Sequence, residues 1–178
     1  VRQSEEKTAI AKIATKQIKA EETIMLDASS TALELARQLP EGLKLRVLTY
    51  SHGVVEKLAM RTDLELILLG GIYEPKGRRF MGMLTEMGAR AFRIDRFFFS
   101  GDGYDLELGI GEPNPEESRL KATVMNHAKW CCALLDHTKL GKATDHFFVK
   151  PKELDLLITD ELREDFRKKL DLAGVKYL

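Results

Sequence analysis

One pattern constrains this chain more than any other: short apolar runs that end in small polar residues, each followed by a segment patterned as a helix. The runs fall at 23–27, 45–49, 64–69, 97–100, 130–136 and 154–159. Helical spacing of apolar residues follows at 32–39, 54–60, 82–92, 116–128 and 161–170. Strand and helix in strict alternation predict an α/β fold with a mostly parallel, Rossmann-like sheet flanked by helices. A further helix opens the chain, with Ile10, Ile13, Ala14 and Ile18 on one face. Ser4 is placed to cap it, with Glu5 and Glu6 near its positive end. Pro40 and Gly42 stop the helix at 32–39. The stretch 73–79 reads as a loop or hairpin, 109–115 as a loop, 147–149 as a short strand before Pro151, and 175–178 as a last strand. No repeat, low-complexity tract or linker interrupts the pattern, so 1–178 reads as one domain.

Charge and composition narrow the function. Lys and Arg total 28, as do Asp and Glu. A domain whose main work is neutralising DNA phosphates is usually basic, so this segment is not expected to bind DNA itself. The longest apolar runs are strand-sized, and the first residues are polar, so neither a membrane span nor a secretory signal is expected. Cys131 and Cys132 are neighbours within one apolar run. On a strand they face opposite ways and make poor disulfide partners, and no Cys/His spacing suggests zinc. A cytoplasmic protein without a metal or cofactor is expected.

In parallel α/β sheets, functional loops lie at the carboxyl ends of the strands. Here those positions read Asp27-Ala28-Ser29-Ser30-Thr31, Thr49-Tyr50-Ser51-His52-Gly53, Gly70-Gly71, Ser100-Gly101-Asp102-Gly103, Asp136-His137-Thr138-Lys139 and Thr159-Asp160. Hydroxyls, glycines, carboxylates and a lysine on one edge suit a polyhydroxylated, phosphorylated ligand. Ser29, Ser30 and Thr31 stand where free amides at a helix start can surround a phosphate. Thr31 followed by Glu34 also fits a capping box, which needs no ligand. Asp27 would repel phosphate and reads as holding the loop or accepting a sugar hydroxyl. Ser51, His52 and Gly53 repeat the arrangement, or are simply a cap and a surface histidine. Gly70 and Gly71 either turn the chain or let a ligand approach the backbone. Arg78 and Arg79 fit a bidentate phosphate contact, or a solvated loop or subunit contact. Asp102, Gly103, Asp105 and Glu117 border the third glycine-rich segment, where carboxylates orient sugar hydroxyls or are merely solvated. Lys139 would supply charge for a phosphate.

Taken in order, five segments resemble the C-terminal sensor domain of DeoR-family transcription regulators: Ile24 through Thr31, Val47 through Ser51, Leu68 through Gly71, Leu134 through Gly141, and Leu157 through Asp160. Lys121 also fits. The resemblance spans nearly the whole chain. It implies a fold like that of ribose-5-phosphate isomerase, in which a loop like Ser29-Ser30-Thr31 holds the substrate phosphate. There a segment like Asp102-Gly103-Tyr104-Asp105 lines the sugar, and a lysine like Lys139 shares the pocket. It implies the effector-binding domain of a repressor of sugar metabolism, homo-oligomeric, with a phosphorylated sugar as ligand. DNA contact belongs to a helix-turn-helix domain outside this segment. Two positions depart from the family pattern: Ser29 stands where glycine is usual, and Tyr50 where asparagine is usual, so Tyr50 narrows the site. The alternative is a sugar-phosphate isomerase with Glu117 or Asp102 as base. A plain oligomerisation module, using Phe97–Phe99 and residues 73–83, is a third possibility.

Overall fold

The computed structural model describes residues 2–178. The apolar runs become β1 (Thr23–Leu26), β2 (Arg46–Thr49), β3 (Glu65–Leu68), β6 (Arg96–Phe99), β9 (Cys131–Leu134) and β11 (Leu156–Ile158). Between them come the short strands β4 (Ile72–Glu74), β5 (Arg79–Met81), β7 (Gly103–Asp105), β8 (Gly109–Glu112) and β10 (His146–Val149). The helices are α1 (Arg2–Thr15), α2 (Ser30–Arg37), α3 (His52–Leu58), α4 (Met83–Arg90), α5 (Pro115–Met125) and α6 (Glu164–Ala173).

Among the described residues the main sheet has six strands in the order β11-β9-β6-β1-β2-β3, every pair parallel. Side chains alternate between its faces, as the pleat requires. Ile24, Leu26, Val47, Phe98, Cys132 and Leu134 pack with Ile10, Ala32, Leu35, Val54 and Leu58 of α1, α2 and α3. Met25, Leu48, Phe97, Phe99, Cys131 and Ala133 pack on the other side with Ala89, Leu120, Val124 and Phe166 of α4, α5 and α6. The two cysteines therefore enter different core layers, both as free thiols.

The strand order places the site. From β1 the chain runs outward through β2 and β3, then returns to the other side of β1 with β6 and continues to β9 and β11. The order reverses between β1 and β6. At such a reversal the loops leaving the two strands diverge and open a crevice at the carboxyl end.

Several local readings need correction. Ser4 does not cap α1; the helix begins at Arg2, and the Ser4 carbonyl accepts from the Thr8 hydroxyl at 2.8 Å. The expected capping box at Thr31 does not form. Ser29 caps α2 two residues earlier, accepting from the Ala32 amide at 3.1 Å, while Glu34 binds Arg37 and Gln38. The expected loop at 109–115 is instead strand β8, the middle of an antiparallel sheet β10-β8-β7, and only then turns into α5 at the Asn114 cap. Two glycines in one strand weaken the signal, but they are required: a Cβ on Gly111 would meet Thr144 Oγ1 at 2.1 Å and the His146 carbonyl oxygen at 2.6 Å. Residues 103–105 are likewise a strand, not a loop. The stretch 73–79 contains the turn of the β4–β5 hairpin, which is tied to the chain after β2 by Phe80 donating to the Tyr50 carbonyl at 2.8 Å. Residues 175–178 reach β11 through the Leu157–Tyr177 bridge, extending the sheet without a full strand. Among the described residues, no helix is long and apolar enough to cross a membrane.

Candidate functional site

A cavity of about 160 Å³ sits where the loops after β1 and β6 diverge. Ala28, Ser29 and Ser30 come from the first loop, and Ser100, Gly101 and Asp102 from the second. Lys139 closes one side, and Arg79, Glu112, Glu117 and Lys121 form the rest of its wall. Ser30 opens α2, so its amide and that of Thr31 belong to the first turn, whose N–H groups have no intrahelical acceptors. Lys139 ends a short 3-10 turn, His137–Lys139, that follows β9; its ammonium donates to the Gly101 carbonyl at 2.9 Å and lies 3.8 Å from Asp102.

Behind the loops lies a buried charge cluster. Lys121, only 1% exposed, donates to the Ser100 carbonyl at 2.9 Å and to Glu112, lies 3.0 Å from Asp27, and is 3.6 Å from Glu117. Arg79 pairs with Glu117 and lies 2.8 Å from Glu74. Burial disfavours the Lys121 ammonium, but Asp27, Tyr50, Glu112 and Glu117 outweigh it and hold its pKa well above the ordinary lysine value. For Glu112 the balance goes the other way. Burial, reinforced by the charges of Glu117 and Asp27, pushes its carboxyl up to about 7 despite Lys121. Tyr50, fully buried, has its phenol raised chiefly by burial.

Of the residues singled out in the sequence, Ser29, Ser30, Arg79, Ser100, Gly101, Asp102, Glu117, Lys121 and Lys139 line this cavity. Asp27 does not. It is fully buried and holds the loops, accepting from the Ser29 amide at 3.1 Å, the Ser29 hydroxyl at 2.5 Å and the Ser100 amide at 2.9 Å. Thr31 is buried inside α2. Ser51 caps α3, accepting from the Val54 amide at 3.3 Å. His52 points to the β4–β5 hairpin, bonded to the Tyr73 hydroxyl at 2.8 Å and 3.4 Å from Glu56, and Gly53 packs toward Leu33. Gly70 and Gly71 make the turn into β4; Gly71 has φ +147°, and a Cβ there would meet Thr85 Oγ1 at 2.3 Å. Gly103 packs against the Lys142 carbonyl, and Asp105 accepts the Glu107 and Leu108 amides, each at 2.8 Å, in the β7–β8 turn.

One wall residue, Glu112, was not singled out in the sequence, and Lys121 entered only through the family resemblance. The Glu117–Lys121 spacing of i, i+4 was a signal within the sequence itself, but such pairs usually lie on solvated helix faces.

A larger open groove, about 690 Å³, lies between the β7–β8 turn and α6, lined by Leu106, Arg163, Phe166, Lys169 and Leu172 among others. Leu172 is 89% exposed, and none of the buried charge cluster reaches the groove. The smaller cavity is therefore the better candidate, because buried, converging polar groups mark a site more surely than volume does. Among the described residues one group, Glu6, His137 and Asp160, brings potential metal-ligating atoms within 4.8 Å of one another. The His137 ring already bonds Asp160 at 2.8 Å, and that bond raises its pKa. Asp160 also accepts from the His137 amide at 2.8 Å, which ties the 3-10 turn to the chain after β11.

Known proteins bear on this geometry. Residues 2–161 match the family model of the DeoR C terminal sensor domain. The HTH-type transcriptional regulator GolR of Listeria innocua is 35% identical over 98% of this chain and 69% of its own length. The HTH-type transcriptional repressor GlcR of Bacillus subtilis is 32% identical over 98% of this chain and 67% of its own. The chain thus spans about two thirds of each regulator's length. Among solved structures, a D-ribose-5-phosphate isomerase in complex with phospho-erythronic acid superposes with a TM-score of 0.55 at 21% identity. That match covers 77% of this chain and 54% of the isomerase, a likeness of fold.

Proposed function

The chain belongs to the family of DeoR C-terminal sensor domains, and from that premise we propose that it binds the effector of a transcription repressor of sugar metabolism, a phosphorylated sugar or a close relative. One observation carries the reading: a helix start bearing two serines, a lysine and a buried charge cluster converge on one cavity at the strand-order reversal. The phosphate sits at the Ser29–Ser30 end of α2, where amides and hydroxyls meet the positive end of the helix. Lys139 supplies the countercharge. The sugar extends toward Ser100, Glu112 and Glu117. DNA contact belongs to a helix-turn-helix domain elsewhere in the full regulator. Ligand binding biases the arrangement of a homo-oligomer, which requires unequal affinity for its two states.

The double substitution Ser30→Ala, Lys139→Ala tests this. Wild type should melt higher with the sugar phosphate that fits, and the double variant should show no shift. An unchanged shift places the effector elsewhere.

One observation favours catalysis instead: Glu112 is a cavity carboxyl near neutrality, as a general base should be. Against it, Glu112 is held by Lys121, and of the bases expected from the sequence Glu117 is tied to Arg79 and Asp102 lies 3.8 Å from the Lys139 ammonium. A direct ketose–aldose assay decides. Turnover that disappears in Glu112→Gln or Glu117→Gln would make the protein an isomerase.

A further inference from the structure

The wall of the cavity is unequal in charge, and the inequality selects ligand chemistry. Glu112, Glu117 and Asp102 line it, with Asp27 immediately behind. The three N–H groups of Lys121 are spent on the Ser100 carbonyl, Asp27 and Glu112. Arg79 is committed to Glu117 and Glu74. Lys139 stands with Ser29 and Ser30, where the phosphate is placed. No cation among the described residues remains uncommitted on the Glu112 side. One polar atom there lacks a hydrogen-bond partner: Ser100 Oγ, on a residue 2% exposed that lines the cavity. A ligand hydroxyl matches it, since a hydroxyl donates and accepts.

Resting on the reading of this cavity as an effector site, we propose that the end of the ligand away from its phosphate presents hydrogen-bond donors, hydroxyl or ammonium groups, and no carboxylate, with Glu112 as the residue that enforces the choice. A ligand carboxylate would enter a desolvated wall already holding an excess of carboxylates, with no free cation to meet it. A hydroxyl or ammonium finds acceptors in Glu112 and Glu117. An ammonium also compensates the charge that Glu112 otherwise relieves by taking up a proton near neutrality. The groups facing Glu112 are Lys121 and Glu117 of α5 and Asp27 after β1, with His146 opposite it in register on β10.

The test is calorimetric titration with matched ligands on two skeletons. One set is glucose 6-phosphate, glucosamine 6-phosphate and 6-phosphogluconate; the other is ribose 5-phosphate and 5-phosphoribonate. Within a skeleton that binds, the acid should be at least about tenfold weaker than the sugar, a gap of about 1.4 kcal/mol. Glu112→Gln should narrow that gap and remove any advantage of the amine. Wild type alone gives a second reading: raising the pH from 6 to 8 ionises Glu112 and should widen the acid-to-sugar ratio, while the ligand phosphate titrates alike in both. An acid that binds as tightly as its sugar, or a ratio indifferent to both pH and Glu112→Gln, overturns the proposal and leaves the effector site standing. If no member of either set binds, the effector-site reading falls and takes this proposal with it.

Discussion

Replacing Lys121 by methionine removes one ammonium from a buried cluster that also holds Asp27, Glu112 and Glu117. The ammonium is buried and meets the Ser100 carbonyl at 2.9 Å, Asp27 at 3.0 Å, Glu112, and Glu117 at 3.6 Å. Methionine keeps most of the apolar stem, so the loss is mainly electrostatic. Breaking a buried pair from one side costs about 3–5 kcal/mol, because the carboxylates stay behind without compensation. For a chain of this length that lowers the melting temperature by roughly 6–20 °C. The exposed pair Lys129–Asp95 is the internal control, since surface pairs contribute about 0–1 kcal/mol. Glu112 can relieve part of the imbalance by protonation, so the loss should shrink at pH 5. Urea unfolding of wild type, Lys121→Met and Lys129→Met at pH 5 and pH 8 reads all three effects. A Lys121→Met loss no larger than that of Lys129→Met would refute the view that this lysine holds the loops of the site together.

Three further outcomes follow from the packing of the same core. The Glu112 pKa is raised from its ordinary 4.5 to about 7, so the native state binds the extra proton. Its stabilising contribution is full below about pH 4.5 and is lost as the pH rises through 7; Glu112→Gln should flatten that part of a stability–pH profile, and an unchanged slope counts against the assignment. Gly111→Ala forces a methyl to within 2.1 Å of Thr144 Oγ1 and 2.6 Å of the His146 carbonyl oxygen. It should cost about 1–3 kcal/mol by chemical denaturation, and a neutral result would mean β8 and β10 do not pack as described. Burial raises the Cys131 thiol to about 12 and holds the Cys132 thiol well above its ordinary value, so neither should react with an aromatic disulfide reagent at pH 8 until the protein unfolds; rapid native labelling would contradict the placement of β9.

The main sheet was legible because each of its strands is an apolar run ending in a polar turn, and the inner strands β1, β6 and β9, buried on both faces, need little else. The antiparallel sheet was not. β8 reads Gly-Ile-Gly-Glu, and its glycines answer to the backbone of β10, a contact with no local signature. The site divided in the same way. Ser29, Ser30, Asp102 and Lys139 stand soon after main-sheet strand ends, where the fold predicts function, and Glu117 lies in the first turn of α5. Lys121 and Glu112 owe their importance to burial, which depends on how α5 docks against β8 and β10. Arg79 reaches the cavity only because the β4–β5 hairpin folds back against the chain after β2. In the other direction, Ser51, Gly70 and Gly71 looked like ligand contacts because caps and turns use the same residue types as phosphate loops.

The most direct test is the position of phosphorus in a crystal grown with a sugar phosphate that raises the melting temperature. Phosphate oxygens within hydrogen-bond distance of the Ser30 amide and the Lys139 ammonium, with the sugar directed at Ser100 and Glu112, are the predicted result. A ligand lodged instead in the groove against α6, with the space between Ser30 and Lys139 holding only solvent, would contradict it.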